Sequence, residues 1–233
     1  PACLRLGSPP PLPPPDSVTV LWAGAVTPTA ARVNARVPSP SSNVRLAVAR
    51  SPEWSDPIFH QGTRPASHPE MIHFSLKALS PRTSYFYALE INGEIDTTRS
   101  GRFQTFADGP FSFRVAFGSC AETGSQHPVF DAIRHSQPDL FLHLGDMHYE
   151  DIAVPKVETF RTAYRQVHSS PPQSALFRST ALAYVWDDHD YGPNNSSRRA
   201  PGQPEAQQAY REYVPHYLLA RGSGADPIYQ AFT

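Results

Sequence analysis

Leu142-His-Leu-Gly-Asp-Met-His-Tyr-Glu150 is the stretch on which the fold turns. The apolar run Leu140 to Leu144 has the length of a buried strand, and Gly145 with Asp146 ends it. A carboxylate just past a strand's C-terminus stands where open α/β sheets place their ligand crevice. Tyr149 follows three residues later, so a tight loop turns its phenol back toward that carboxylate. The Gly-Asp-x-x-Tyr spacing thus suits one cation held by an Asp and a Tyr together. The same residues admit a plainer reading, in which Asp146 caps the next segment and Tyr149 is half buried with its hydroxyl bonded.

The flanking stretches point toward metal. Phe113 to Phe117 is a second strand-like run ending in Gly118-Ser119-Cys120, and Ala181 to Trp186 is a third, ending in Asp187-Asp188-His189-Asp190. Carboxylates are costly to bury unpaired, so this acidic cluster behind a strand calls for a cation, a partner or open solvent. With three runs each ending in potential ligands, the metal reading outweighs the capping one. Helical spacing separates the runs. Val129 to His135 forms a short helix with Pro128 near its first turn, and Val157 to His168 carries Phe160, Tyr164 and Val167 on one face. Ser174 to Arg178 adds a turn, and Glu205 to Leu219 is a third helix that Pro215 divides. From Phe111 onward the alternation predicts βαβ units and a sheet covered on both faces.

Ahead of this lies a different rhythm. Val18 to Trp22, Ala31 to Val37, Val44 to Ala49, His73 to Leu76, Tyr85 to Ile91 and Gly101 to Phe106 read as short strands, with Pro38 to Asn43 and Asn92-Gly93 as turns. The region 16–107 is therefore expected to be an all-β sandwich with Trp22 in its core. Residues 107–110 form the junction to a second domain at 111–233. Residues 1–15, with Pro-Pro-Pro-Leu-Pro-Pro-Pro, read as a disordered polyproline segment serving as a spacer or a recognition ligand.

At 233 residues, one large or two small domains are expected, and no apolar run approaches a membrane span. A formal net charge of -1 with interspersed signs argues against general nucleic-acid binding, so recognition of any anion must be local. Cys3 and Cys120 make no disulfide framework. No charged start with an apolar core precedes the proline segment, so no signal peptide is expected in the given chain.

In order and spacing, Phe117-Gly-Ser-Cys120, Leu144 to Glu150 and Trp186 to Asn195 (WDDHDYGPNN) resemble the signature blocks of PhoD-like phosphatases, the alkaline phosphatase D group of the calcineurin-like metallophosphoesterases. Leu79 to Tyr87 resembles the fibronectin type III turn, with Tyr85 as its tyrosine corner, and a fibronectin-like domain precedes the phosphatase domain in that family. The Gly-Asp-x-x-Tyr block is also similar to the purple acid phosphatases, whose tyrosine binds a ferric ion. The resemblance implies a calcineurin-like αββα sandwich of which this chain holds the first half, the remaining ligands coming from a second half beyond the last helix.

It implies roles as well. Asp146 bridges two metals, and Cys120 stands where the wider superfamily begins its site with Asp-x-His. Tyr149 completes a ferric site. Asp188 occupies the place of the usual Asn and binds a second cation with Asn195, which suits Ca²⁺ or another divalent ion. His189 faces the leaving-group oxygen as general acid or phosphate ligand. Asp187 is either a ligand or, like Asn194, a support behind the ligands. Of the other histidines, His143 is expected in the core and His148 outside the ligand set, while His60, His68, His73, His135, His168 and His216 carry no assigned function.

The implied function is hydrolysis of phosphomonoesters or phosphodiesters by a metal-bound hydroxide, in an extracytoplasmic protein that is secreted, periplasmic or held at the cell surface. Phospholipid or teichoic acid is an alternative substrate. The rival reading is a fibronectin-like binding or adhesion module attached to a degenerate or catalytically incomplete phosphatase half.

Overall fold

The computed structural model of the chain describes residues 18–38, 43–219 and 227–232. The expected proline-rich segment at 1–15, Cys3 and most of the turn at 38–43 lie outside the described residues. Eight strands come first: β1 (Val20–Gly24), β2 (Ala31–Arg36), β3 (Val44–Ala49), β4 (Ile58–Gln61), β5 (Met71–Leu76), β6 (Ser84–Ile91), β7 (Glu94–Ile95) and β8 (Gly101–Gln104). Then come β9 (Val115–Gly118), α1 (Val129–His135), β10 (Leu140–His143), α2 (Val157–Ser169), α3 (Pro171–Ser179), β11 (Ala181–Tyr184), α4 (Asp188–Tyr191) and α5 (Gln203–Tyr213).

Most expected strands lie within two residues of their places, and Asn92-Gly93 makes the expected two-residue hairpin turn between β6 and β7. The polar β4 carried no alternating apolar signal. It is an exposed edge strand paired only to β3 in its sheet. The third helix ends at Tyr213 rather than Leu219, because Val214 precedes Pro215 and adopts extended geometry. The expected turn at Ser174 to Arg178 is instead a nine-residue helix. Ser170 caps it, accepting from the Gln173 N–H at 3.3 Å, and two prolines occupy its first turn, where a missing N–H costs nothing.

One sheet runs β5-β2-β1-β11-β10-β9 and a second runs β4-β3-β6-β7, with β8 also on β6. The joint of the first is β1 against β11, parallel, with Gly24 opposite Leu182. A Cβ on Gly24 would lie 2.3 Å from the Pro215 carbonyl oxygen and 2.6 Å from that of Leu182, so only glycine admits the contact.

Strand β1 is buried on both faces. Leu21 and Ala23 join the core between the two sheets, whereas Val20 and Trp22 join the core under α2, α3 and α5. Trp22 is therefore not in the sandwich interior as expected. Its indole donates to the Tyr213 carbonyl at 2.7 Å, and it packs edge-on against His168. Tyr85 accepts from the Ser80 N–H at 2.8 Å, the bond of a tyrosine corner. The strand-like run at Phe113 to Phe117 forms β9 from Val115 and lies at the sheet edge with Phe113 and Phe117 exposed.

Buried polar bonds reinforce the joint. Arg161 holds Glu212 at 2.7 and 2.8 Å and also donates to the Ser67 carbonyl, while the Ser67 hydroxyl donates to Glu212 at 2.7 Å. We expect protease cutting at 107–110 to leave the two fragments eluting together in gel filtration. Separate elution under native conditions would show that the shared sheet does not hold them.

Burial alone would raise the Glu212 carboxyl, but the bonds from Arg161, Ser67 and Gln208 outweigh it and hold the group below its ordinary range. A depressed carboxylate stabilises the fold above its unfolded pKa of about 4.3, and that contribution is lost as pH falls through the folded value. Glu212→Gln should therefore cost about 3 kcal/mol at pH 7, with the difference shrinking toward about pH 3. Denaturant titration at both pH values measures this, and a pH-independent difference would contradict it.

Candidate metal centre

The C-terminal ends of β9, β10 and β11 meet at one place. Leu144 donates to the Gly118 carbonyl at 2.8 Å, and Cys120 and Ala121 donate to the carbonyls of Gly145 and Asp146, each at 3.1 Å. Gly145 has φ +105°, and a Cβ there would lie 2.5 Å from the Asp187 Cβ. The loops after β10 and β11 thus touch backbone to backbone.

Asp146 lies at the centre, 6 % exposed. Its Oδ2 accepts from the Tyr149 hydroxyl at 2.9 Å and lies 3.6 Å from Cys120 Sγ. Its buried Oδ1 has no hydrogen-bond partner. Ligand atoms of Asp146, Asp188 and His189 all lie within 4.8 Å of one another. Asp188 Oδ2 accepts from the Asn195 N–H, which brings Asn195 to the cluster through its backbone. The His189 ring lies 4.3 Å from that of Tyr149, tilted by 44°, and its Nδ1 lies 3.0 Å from Asp151 Oδ1 at an angle outside hydrogen-bond geometry. Asp151 Oδ1 also accepts from the Asn194 N–H at 2.8 Å.

Of the residues singled out in the sequence, Cys120, Asp146, Tyr149, Asp188 and His189 converge by their side chains, and Asn194 and Asn195 by their backbones. Asp187 caps α4, its carboxylate accepting from the Asp188 N–H at 2.9 Å. His148 and His143 are buried, and burial lowers each to about 4, so both are neutral; a like charge from His189 adds to the effect at His148.

Two residues of the site escaped sequence reasoning. Asp151 is one. The other is Asp190, the last carboxylate of the acidic cluster, 5 % exposed, which accepts from the backbone N–H groups of Asp146, Met147 and Asp187 at 2.7, 2.8 and 2.8 Å. The spacing Asp187-x-x-Asp190, a capping box across α4, was the available signal.

Burial, followed by the bonds to Cys120 and Asp146, pushes the Tyr149 phenol up, so without a cation it remains a donor. Burial likewise pushes the Asp190 carboxyl up to about 7 against its three amide bonds. Cys120 holds φ +60° and Asp146 φ +52°, conformations that cost energy for residues other than glycine and gather at functional sites. A thiol, a phenol, carboxylates and an orphaned buried carboxylate oxygen fit a cation.

Residues 115–233 match the family model described as PhoD-like phosphatase. The structure of PhoD is similar to this chain with a TM-score of 0.78 at 19% identity, covering 92% of this chain and 49% of that one. The purple acid phosphatase PPD1 from seeds of yellow lupin (Lupinus luteus) is similar with a TM-score of 0.61 at 13% identity, covering 87% of this chain and 41% of that one. This chain thus spans about half the length of PhoD. No curated protein matches it in sequence. At these identities the likenesses show a common fold, the first half of a metallophosphatase sandwich with its β-sandwich ahead of it.

Proposed function

Because the chain belongs to the PhoD-like phosphatases, a membership carried by the match over 115–233, we propose that it supplies one half of a metal-dependent site that hydrolyses phosphoric esters. The observation that carries this reading is the buried Asp146, with one oxygen orphaned and the other shared by Tyr149 and Cys120, beside Asp188 and His189. Asp146 would bridge two cations. Cys120 and Tyr149 would complete a ferric site, while Asp188 and Asn195 would offer oxygens to Ca²⁺ or another divalent ion. Such cations, when bound, lower the pKa of a coordinated water and neutralise charge on the phosphoryl oxygens. His189, with Asp151 Oδ1 3.0 Å from its Nδ1, would offer its other ring nitrogen to a leaving-group oxygen. Asp187 and Asn194 fix the loops that carry Asp188 and Asp151. The resemblance supports an extracytoplasmic setting and a phosphomonoester or phosphodiester as substrate, and no helix among the described residues is long and apolar enough to cross a membrane.

Elemental analysis of the purified complete gene product, with hydrolysis assayed at several pH values, tests the proposal. Iron together with turnover is expected, and the iron-loaded protein should show a visible charge-transfer band that weakens or moves in Tyr149→Phe. A colourless, iron-free and fully active protein would remove the ferric assignment. A protein with no bound metal and no turnover would overturn the hydrolase reading.

A further inference from the structure

The loops after β10 and β11 are laced together by one side chain. Asp190 lies 44 residues beyond Asp146, yet its Oδ2 accepts from the N–H groups of both Asp146 and Asp187, and its Oδ1 accepts from that of Met147. These three donors belong to turns with no sheet partner, and Asp146 holds the left-handed φ of +52° while presenting its carboxylate. A backbone conformation of that kind persists where surrounding bonds over-determine it. We infer that Asp190 is the positioning residue of the metal centre: it fixes the main chain of Asp146 and Asp187, and through them the mutual placement of Asp146 and Asp188.

The inference rests on the metal-site reading for its functional consequence. Its structural content, the pinning of three amides, stands apart from it. Asp190 is 5 % exposed, and the buried phenols of Tyr184, Tyr164 and Tyr210 lie close enough to feel its charge. Replacing the carboxylate with the isosteric amide turns one acceptor into a donor that faces an N–H. Asp190→Asn must then release at least one of the three amides.

The test uses the whole chain, Asp190→Asn, and Glu212→Gln as a comparison variant whose lost bonds run to Ser67, Arg161 and Gln208. Amide hydrogen exchange is followed in all three proteins, and Mn²⁺ binding is titrated by the magnetic resonance signal of the free ion. In the wild type the amides of Asp146, Met147 and Asp187 should exchange as slowly as those of β10. In Asp190→Asn they should exchange at least about tenfold faster, and Mn²⁺ should bind about 10- to 100-fold more weakly, the usual effect of removing a group that orients a ligand. Glu212→Gln should unfold more easily while keeping both properties.

Rapid exchange of the three amides in the wild type would overturn the inference even if Asp190→Asn failed to fold. So would unchanged exchange and unchanged Mn²⁺ affinity in a folded Asp190→Asn. If the wild type bound no Mn²⁺ but protected the three amides until Asp190 was replaced, the metal-site reading would fail and the pinning would stand.

Discussion

Asp146→Asn is expected to empty the metal centre while leaving the fold in place. Asn has the volume of Asp and tolerates the left-handed φ of +52° that this position requires, and its carbonyl can still accept from Tyr149. It lacks the negative charge and the second oxygen. A neutral amide cannot bridge two cations, so bound metal should fall to background by elemental analysis. Hydrolysis by the complete gene product should then fall by about 10³-fold or more, since cations supply several kcal/mol of transition-state charge stabilisation and each 1.36 kcal/mol is tenfold. The metal-free unfolding midpoint should barely move. Asp146→Ala is a poorer probe because it adds backbone strain. Full metal content with normal turnover in Asp146→Asn would remove Asp146 from the site.

His189→Ala should fail differently. His189 adjoins Asp188 but contacts Tyr149 and Asp151, so its loss leaves the carboxylates and the thiol where they are. The variant should keep its metals and lose about 10²- to 10⁴-fold in rate on an ester with a poor leaving group, the span of general acid catalysis. A nitrophenyl ester, whose leaving group departs without a proton, should lose much less. Equal losses on both esters would assign His189 to phosphate or metal binding, and loss of metal would make it a ligand.

The residues that declared themselves in the sequence did so by local pattern. Each of the three strand ends carries its candidate residues within five residues of an apolar run, so the grouping of Cys120, Asp146, Tyr149, Asp188 and His189 could be read from local pattern. Asp190 and Asp151 stood out less, because apart from the local Asp187 N–H their partners are backbone amides and a ring nitrogen brought close by the crossing of loops 38 to 44 residues apart. Strand β1 was legible as a strand and illegible as a boundary. Its residues are apolar throughout, which signals burial on both faces but not which core lies on either. Trp22 was accordingly placed in the wrong one. The joint between β1 and β11 left a single mark, Gly24, and a glycine at a strand end has many ordinary causes. Val214-Pro215 was a local stop signal that outweighed the apolar residues beyond it.

The two-sided burial of β1 also bears on synthesis. Trp22 reaches its hydrogen-bond partner, the carbonyl of Tyr213, across 191 residues. At about 5 to 20 residues per second that interval lasts roughly 10 to 40 s. Until α2 and α3 are made the sandwich strands can pair, yet the outer face of β1, with Val20 and Trp22, lacks His168 and Phe177 to lie against. The nascent chain therefore carries an apolar stripe that α2 and α3 begin to cover and α5 closes, so β1 is finished long after it is made.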